Sequence, residues 1–186
     1  MTEMTVESAG LPAAVRQFVL AWGDMGGQWG VNRSVSQIHA LLYLSEKPLT
    51  ADDIAETLAM ARSNVSNSIK ELQNWGLVRR APVMGDRRDH FEAETDVWTI
   101  AANIVAGRKQ RELDPALASL SACVAAAEGD RSVHPVAARR LKEMQVFTQT
   151  VSGWYEQMEK VPRPSLMALL RLGARIVSLL PGRKTK

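Results

Sequence analysis

TADDIAETLAMARSNVSNSIKELQNWGLVRRAPVMGDRRDHFEAET, Thr50 to Thr95, is the stretch whose reading decides the fold. Thr50 followed three residues later by Asp53 has the spacing of a helix cap, and Asp52 and Asp53 complement the positive end of a helix. Ile54, Ala55 and Leu58 fall on one face of that helix. After a turn at Ala59-Met60-Ala61, Val65, Ile69, Leu72 and Trp75 form the apolar stripe of a second helix, which Gly76 stops. Leu77 to Val83 and His90 to Thr95 then read as strands around a basic loop, Gly85-Asp86-Arg87-Arg88-Asp89-His90. A helix, a tight turn, a second helix and an Arg-tipped hairpin make up the pattern of a winged helix-turn-helix.

The polar face of the second helix carries Arg62, Ser63, Asn64, Ser66, Asn67, Lys70 and Gln73. Ser and Asn are poor helix formers, so an ordinary solvated face would favour Glu, Lys and Ala. Short polar side chains near the start of a helix can reach base edges in the major groove, and Asn can pair bidentately with adenine. An Arg at a hairpin tip can enter the adjacent minor groove, with Asp86 holding the Arg88 guanidinium in place. The candidate DNA-contacting residues are therefore Arg62, Ser63, Asn64, Ser66, Asn67 and Lys70 on the helix. On the wing they are Asp86, Arg87, Arg88 and His90. Charge distribution agrees. From Glu46 to Met60 one lysine stands against four carboxylates, whereas from Ala61 to His90 six cations stand against three.

Working outward, Pro12 suits the first turn of a helix from Leu11 to Trp22, which Gly23, Gly26, Gly27 and Gly30 are expected to break. Ser34 and Gln37 have capping-box spacing ahead of a helix that buries Val35, Ile38, Leu41 and Leu42 and ends before Pro48. Helix resumes near Val97, and Asp114-Pro115 reads as a cap and restart. Ala116, Leu117, Leu120, Cys123, Val124 and Ala127 line the next helix, with Cys123 read as a buried thiol. From Pro135 to Glu159 the seam Ala137, Leu141, Met144, Thr148, Val151, Tyr155, Met158 alternates steps of four and three, as in a coiled coil, with Phe147 and Trp154 flanking it. Ser165 is expected to cap a last helix to Leu180, before a basic tail.

The expected fold class is mainly α with a small β-hairpin wing, a winged helix-turn-helix joined to a helical dimerisation region. Residues 1–30 would supply a helix to dimerisation, 31–99 the winged helix-turn-helix, 100–182 a helical linker and dimerisation region, and 183–186 a basic tail. A lone winged helix buries little surface, and two half-sites about 34 Å apart on duplex DNA call for a two-fold dimer.

The run Leu49 to Leu58, then Ser63-Asn64-Val65-Ser66, then Leu72-Gln73-Asn74-Trp75-Gly76-Leu77-Val78-Arg79 resembles the multiple-antibiotic-resistance regulator (MarR) superfamily. The Trp-Gly-Leu-Val element points to its GbsR-like branch, and Asp86-Arg87-Arg88 is similar to the family's Asp-x-Arg wing. The resemblance covers about Gly26 to Thr99. It implies a homodimeric transcription regulator, usually a repressor, sometimes responsive to a small molecule, with choline associated with the GbsR-like branch. Ala61 departs from the family's Ser or Thr cap, a loss of about 1 kcal/mol of helix stability unless Ser63 caps a shortened helix. Gln28 to Arg33 departs from its approach to the following helix.

The remaining residues point to little chemistry. Aromatic faces bind quaternary ammonium ions. A pocket touching Trp22, Trp98 or Trp154 is therefore a candidate effector site, although packing is the commoner use of tryptophan. His39, His90 and His134 have no ligand-spaced partners, and no zinc spacing, phosphate loop, nucleophile elbow or paired-carboxylate site is present. The expectation is a protein that is not an enzyme and needs no cofactor or metal. The chain has 186 residues, a net charge of +3 and one cysteine. It lacks a signal-peptide pattern and a clean apolar span, which suits a cytoplasmic protein without a membrane partner. The partners expected are duplex DNA, a second copy of the chain and a small-molecule effector. The alternative is a non-catalytic winged-helix adaptor for protein assembly, which would show apolar residues where this helix shows Ser, Asn, Lys and Arg.

Overall fold

The computed structural model describes residues 10–173. The chain divides into two compact units, one up to Gly107 and one from Arg108 onward. The first contains α1 (Ala13–Gln28), α2 (Arg33–Leu44), β1 (Leu49–Thr50), α3 (Ala51–Leu58), α4 (Arg62–Asn74), β2 (Val78–Arg80), β3 (His90–Ala93) and α5 (Val97–Arg108). The three strands form an antiparallel sheet in the order β1-β3-β2. Phe91 of β3 faces Leu49 on one side and Arg80 on the other. β1 has too few residues to carry a period and escapes sequence reading. The hairpin strands are shorter than the spans Leu77–Val83 and His90–Thr95, in part because Pro82 has no N–H for the ladder.

The apolar stripes converge on one core. Ile38 and Leu41 of α2, Ile54 of α3, and Val65, Ile69 and Leu72 of α4 are buried with Leu77 before β2, Val78 and Phe91 of the sheet and Ile100 of α5. Each such side chain stabilises the fold by about 1.5–3 kcal/mol relative to exposure. Thr50 and Asp53 form the expected capping box. Thr50 N donates to Asp53 Oδ2 at 2.8 Å and Asp53 N donates to Thr50 Oγ1 at 3.2 Å. The Thr50 hydrogen bonds hold the Asp53 carboxyl below its usual range. Ala59, at φ 52°, makes the left-handed turn into α4. α4 begins at Arg62 after Ala61, without a side-chain cap, so Ser63 lies inside the helix.

Three expectations in this unit are corrected. α1 does not stop at Trp22 but runs to Gln28 through Gly23, Gly26 and Gly27. Gly23 and Gly26 serve packing rather than termination. A Cβ on Gly26 would lie 1.9 Å from Ser36 Oγ, and one on Gly23 would lie 2.6 Å from Gln37 Cγ. Ser34 does not cap α2. Asn32 does, its side chain accepting from Ser34 N at 2.8 Å. Gln37, read as a capping partner, packs against Gly23.

The second unit contains a π-helical turn (Lys109–Leu113), α6 (Asp114–Gly129), α7 (Pro135–Glu159) and α8 (Arg163–Leu172). α6 begins at Asp114 with Pro115 in its first turn, where the restart was expected, but Asp114 has helical angles and does not cap it. Lys109 Nζ in the turn donates to Asp114 Oδ1 at 2.7 Å and lies 3.4 Å from Glu156 of α7. Cys123 and Ala116 are exposed rather than buried, because α6 turns Leu117, Leu120 and Val124 inward. α8 begins at Arg163 after Pro162, so Ser165 is not its cap, and Gly173 at φ 47° follows Leu172. Residues 174–180 of the expected last helix and the tail 183–186 lie outside the described residues.

The expected α7 seam divides in two. Leu141, Thr148, Tyr155 and Met158 turn inward with Gln145 and Ser152, whereas Met144 and Val151 join Phe147 and Trp154 on the exposed side. The fully buried positions of the inner side, Gln145, Thr148 and Ser152, are polar. Gln145 Nε2 donates to Ser121 Oγ of α6 at 3.0 Å and Lys142 Nζ donates to Gln145 Oε1 at 3.1 Å. Among the described residues no helix is long and apolar enough to cross a membrane.

Gly26→Ala is expected to destabilise the protein by about 1–3 kcal/mol through overpacking. Gly27→Ala, which meets nothing within 4 Å, should be neutral or stabilising by up to about 1 kcal/mol. Urea unfolding of both variants separates a packing glycine from a helix-weakening one. A second expectation concerns His39 of α2, whose burial pushes its imidazole down to about 4. The unfolded chain takes up a proton near pH 6.5 that the folded chain refuses until about pH 4. Stability therefore falls as pH drops through that window, by about 3 kcal/mol. His39→Phe should remove this loss. Parallel pH profiles for the two proteins would show that the imidazole is not held neutral.

Candidate nucleic-acid interface

α4 and the hairpin present their polar groups to a common groove of about 290 Å³, with Thr50 to Asp52 at its α3 end. Arg62, Ser66, Lys70 and Gln73 of α4 line it, and Arg80, Arg88 and Asp89 face them from the hairpin. Ile69 and Phe91 extend from the core to its floor. The buried stripe of α4 is thus what fixes the azimuth of the polar one: with Val65, Ile69 and Leu72 inward, Arg62, Ser63, Asn67 and Lys70 are exposed.

Most of the arginines are already paired. Arg62 bonds Asp52, Arg79 Nε donates to Glu92 Oε1 at 2.6 Å, and Arg80 lies 3.3 Å from Asp89. These are exposed pairs, which solvent screens, and phosphate oxygens can displace them. Arg87 and Lys70 form no ion pair among the described residues and are the uncommitted cations of this surface.

The wing is braced from within. Met84 and Gly85 form its tip; Gly85 has φ 85°, a conformation that favours glycine. Asp86 Oδ1 accepts from the backbone N of Arg88 at 2.9 Å, and Asp86 Oδ2 accepts from Arg88 Nε at 3.0 Å. The Arg88 guanidinium holds the Asp86 carboxyl far below its usual range. His90, read from sequence as a contacting residue, is buried at 7% exposure. Its Nδ1 lies 3.0 Å from the Arg88 carbonyl and its Nε2 lies 3.5 Å from Asp86. It supports the loop from below.

Asn64 is likewise committed. Its Nδ2 donates to Ser34 Oγ of α2 at 3.0 Å, which ties α4 to α2. Sequence reasoning missed Arg80, Asp52 and Asp89, which enter the groove only through strand pairing and the α3–α4 crossing. It also missed Met84, fully exposed at the wing tip. Of the aromatic candidates, Trp22 lines an apolar cavity with Phe18, His39 and Tyr43. Trp98, at 37% exposure, does not line it, and Trp154 stands 60% exposed on α7. No cluster of three or more metal-ligating side chains occurs among the described residues.

Residues 29–89 match the model described as the MarR family. Two similar proteins of Bacillus subtilis (strain 168) are the HTH-type transcriptional repressors GbsR and OpcR. GbsR is 28% identical over 85 residues, 46% of this chain and 47% of that protein. OpcR is 21% identical over 70 residues, 38% of each chain. The match thus spans less than half the length of these curated relatives. A solved structure described as a transcriptional regulator shares the fold with a TM-score of 0.61 and 18% identity, over 78% of this chain and 95% of that one.

Asn64 and Asn67 are expected to separate in a substitution experiment. Asn64→Ala loses the bond to Ser34 and should lower stability by about 1 kcal/mol. Asn67→Ala should change it by less than about 0.5 kcal/mol. Equal thermal midpoints for the two variants would mean that Asn64 does not anchor α4.

Proposed function

We propose that this chain, whose residues 29–89 match the MarR-family model, is a sequence-specific DNA-binding transcription regulator, a homodimeric repressor reading a two-fold symmetric operator. The observation that carries the reading is the groove in which polar α4 side chains stand beside the braced wing. α4 enters the major groove, with Ser63, Ser66, Asn67 and Lys70 toward bases and phosphates. The wing places Arg87 in the adjacent minor groove, where the negative potential favours a guanidinium. Arg88, held by Asp86, positions the loop. Asn64 and His90 act from beneath. The repressors GbsR and OpcR support the sign of the regulation.

The dimer is part of the same proposal. Met144, Phe147, Val151 and Trp154 repeat at steps of three, four and three along α7, the spacing of a coiled-coil seam. They are 54%, 65%, 38% and 60% exposed. The fully buried positions of α7 are Gln145, Thr148 and Ser152, with Leu141, Tyr155 and Met158 half-buried beside them. The second unit therefore shows apolar surface outward, and a second copy of the same face covers it. Regulation by a small-molecule effector and a cytoplasmic location, where Cys123 stays reduced, complete the reading.

Selection of bound duplexes from random DNA at near-physiological salt is expected to return a motif with two half-sites about one helical turn apart. In the selected duplex, Arg87→Ala should weaken binding and reduce the salt slope by about 0.9. Asn67→Ala should relax preference at one base pair, by about 1–3 kcal/mol. Recovery of no motif, or of variants that bind as the natural protein does, would sink the reading-head assignment. Trp154→Glu is expected to give a folded monomer in sedimentation and to lose preference for the symmetric site. A dimer of unchanged strength would move the interface away from α7.

A further inference from the structure

The apex of the wing is apolar. Pro82, Val83 and Met84 stand in succession between β2 and the Asp86–Arg88 brace, and all three are exposed. Met84 keeps its full accessible surface and does not line the groove beside α4. A single exposed apolar side chain is ordinary on a protein surface. Three in a row at the tip of a fixed loop are not explained by folding, since none of them packs on the core.

The backbone beneath Met84 is held. Asp86 N donates to the Val83 carbonyl at 3.2 Å, which closes a four-residue turn with Met84 and Gly85 at its centre. Gly85, at φ 85°, supplies the positive φ that the third position of a type II turn demands. Asp86 Oδ1 then accepts from the backbone N of Arg88 at 2.9 Å. A hydrogen-bonded turn and a side-chain brace thus follow one another and set the direction of the loop. Met84 occupies its leading corner.

The surroundings say what a fixed apolar tip can meet. Arg87 and Arg88 are exposed a few residues away, so the tip belongs to a surface that attracts phosphate. One loop apex has far too little area for a protein interface, which takes about 800 Å² from each partner. The minor groove of B-DNA, about 6 Å wide and 7.5 Å deep, admits such a tip. An unbranched thioether is thin, adaptable and polarisable. Methionine is among the apolar wedges that part a base step from the minor groove and bend the duplex. Parting costs least at the flexible TA and CA/TG steps.

We propose that Met84 is a wedge that the wing inserts into the minor groove flanking the half-site, where it parts a flexible pyrimidine–purine step. The wing thereby reads the deformability of DNA as well as its charge. The proposal rests on the DNA-binding reading above and adds a specificity-determining residue to it.

The test uses the full chain and the selected operator. In one series of duplexes a single TA step is moved along the outer flank of each half-site. In the reference duplex that flank is an A-tract, which is stiff. The natural protein is expected to bind the best-placed TA duplex about ten-fold more tightly than the reference. Met84→Ser changes a side chain outside the core, and it should lose that preference while keeping its salt slope. Met84→Leu should restore the preference. Arg87→Ala should do the reverse of Met84→Ser, keeping the step preference and lowering the slope. With 2-aminopurine in place of the adenine of the best-placed step, emission should rise on binding the natural protein or Met84→Leu, but not Met84→Ser. A natural protein indifferent to the step would overturn the proposal. So would a Met84→Ser variant that keeps the preference, or emission that stays unchanged. Each of these results leaves operator recognition by α4 standing, because affinity for the selected site is read in the same titrations. Recovery of no operator at all would remove both readings.

Discussion

Burial of α2 is the constraint on which the first unit depends. Seven of its twelve residues are buried, including Ser36 and His39. α1 lies close enough on one side that Gly26 has no room for a Cβ beside Ser36. On the other side Asn64 of α4 bonds Ser34. The position of α4, and hence of the proposed reading face, follows from α2. The same close approach of α1 brings Phe18 and Trp22 over His39 and leaves the aromatic cavity between them. Close packing stabilises through many weak contacts, and it fixes geometry because few arrangements satisfy them all.

The groove beside α4 shows how a polar surface can be basic yet largely self-paired. Asp52, Asp89 and Asp86 each engage an arginine, and only the last pair is woven into a turn by a further backbone bond. Weak exposed pairs exchange readily for phosphate contacts. The braced Asp86–Arg88 pair shapes the loop that carries the uncommitted Arg87. Division of labour between exchangeable and fixed pairs comes from geometry, since the residue types are the same.

The second unit inverts the usual arrangement. The fully buried side chains of α7 are polar, and Gln145 among them meets α6, while Met144, Phe147, Val151 and Trp154 stand outside. A helical hairpin with a polar seam gains little from apolar burial of its own, and its outer face gains once it is covered. The polar seam also specifies register, because Gln145 meets Ser121 in one alignment of the two helices.

The sequence by itself determined the winged helix-turn-helix. Thr50 and Asp53 cap, the Val65–Leu72 stripe, Gly76 and the Gly-Asp-Arg-Arg loop act over a few residues, so local spacing suffices to read them. Arg62, Ser66, Lys70 and Arg88, which line the proposed reading face, were legible for the same reason, whereas Asp52, Arg80 and Asp89 were not. What local spacing could not tell was which polar residues are spent on packing. Asn64 and His90 look like their exposed neighbours, and only the approach of α2 and the sheet commits them. Gly23 and Gly26 read as breakers because an isolated helix is weakened by glycine, whereas tertiary packing rewards a missing Cβ. The α7 seam carried two faces whose difference lies in what packs on each, and a period alone does not identify its partner. The Nε2 of His39, buried without a hydrogen-bond partner, is likewise a property of three helices meeting. Tertiary structure decided these points because burial and pairing depend on neighbours distant in sequence, whose approach no local pattern encodes.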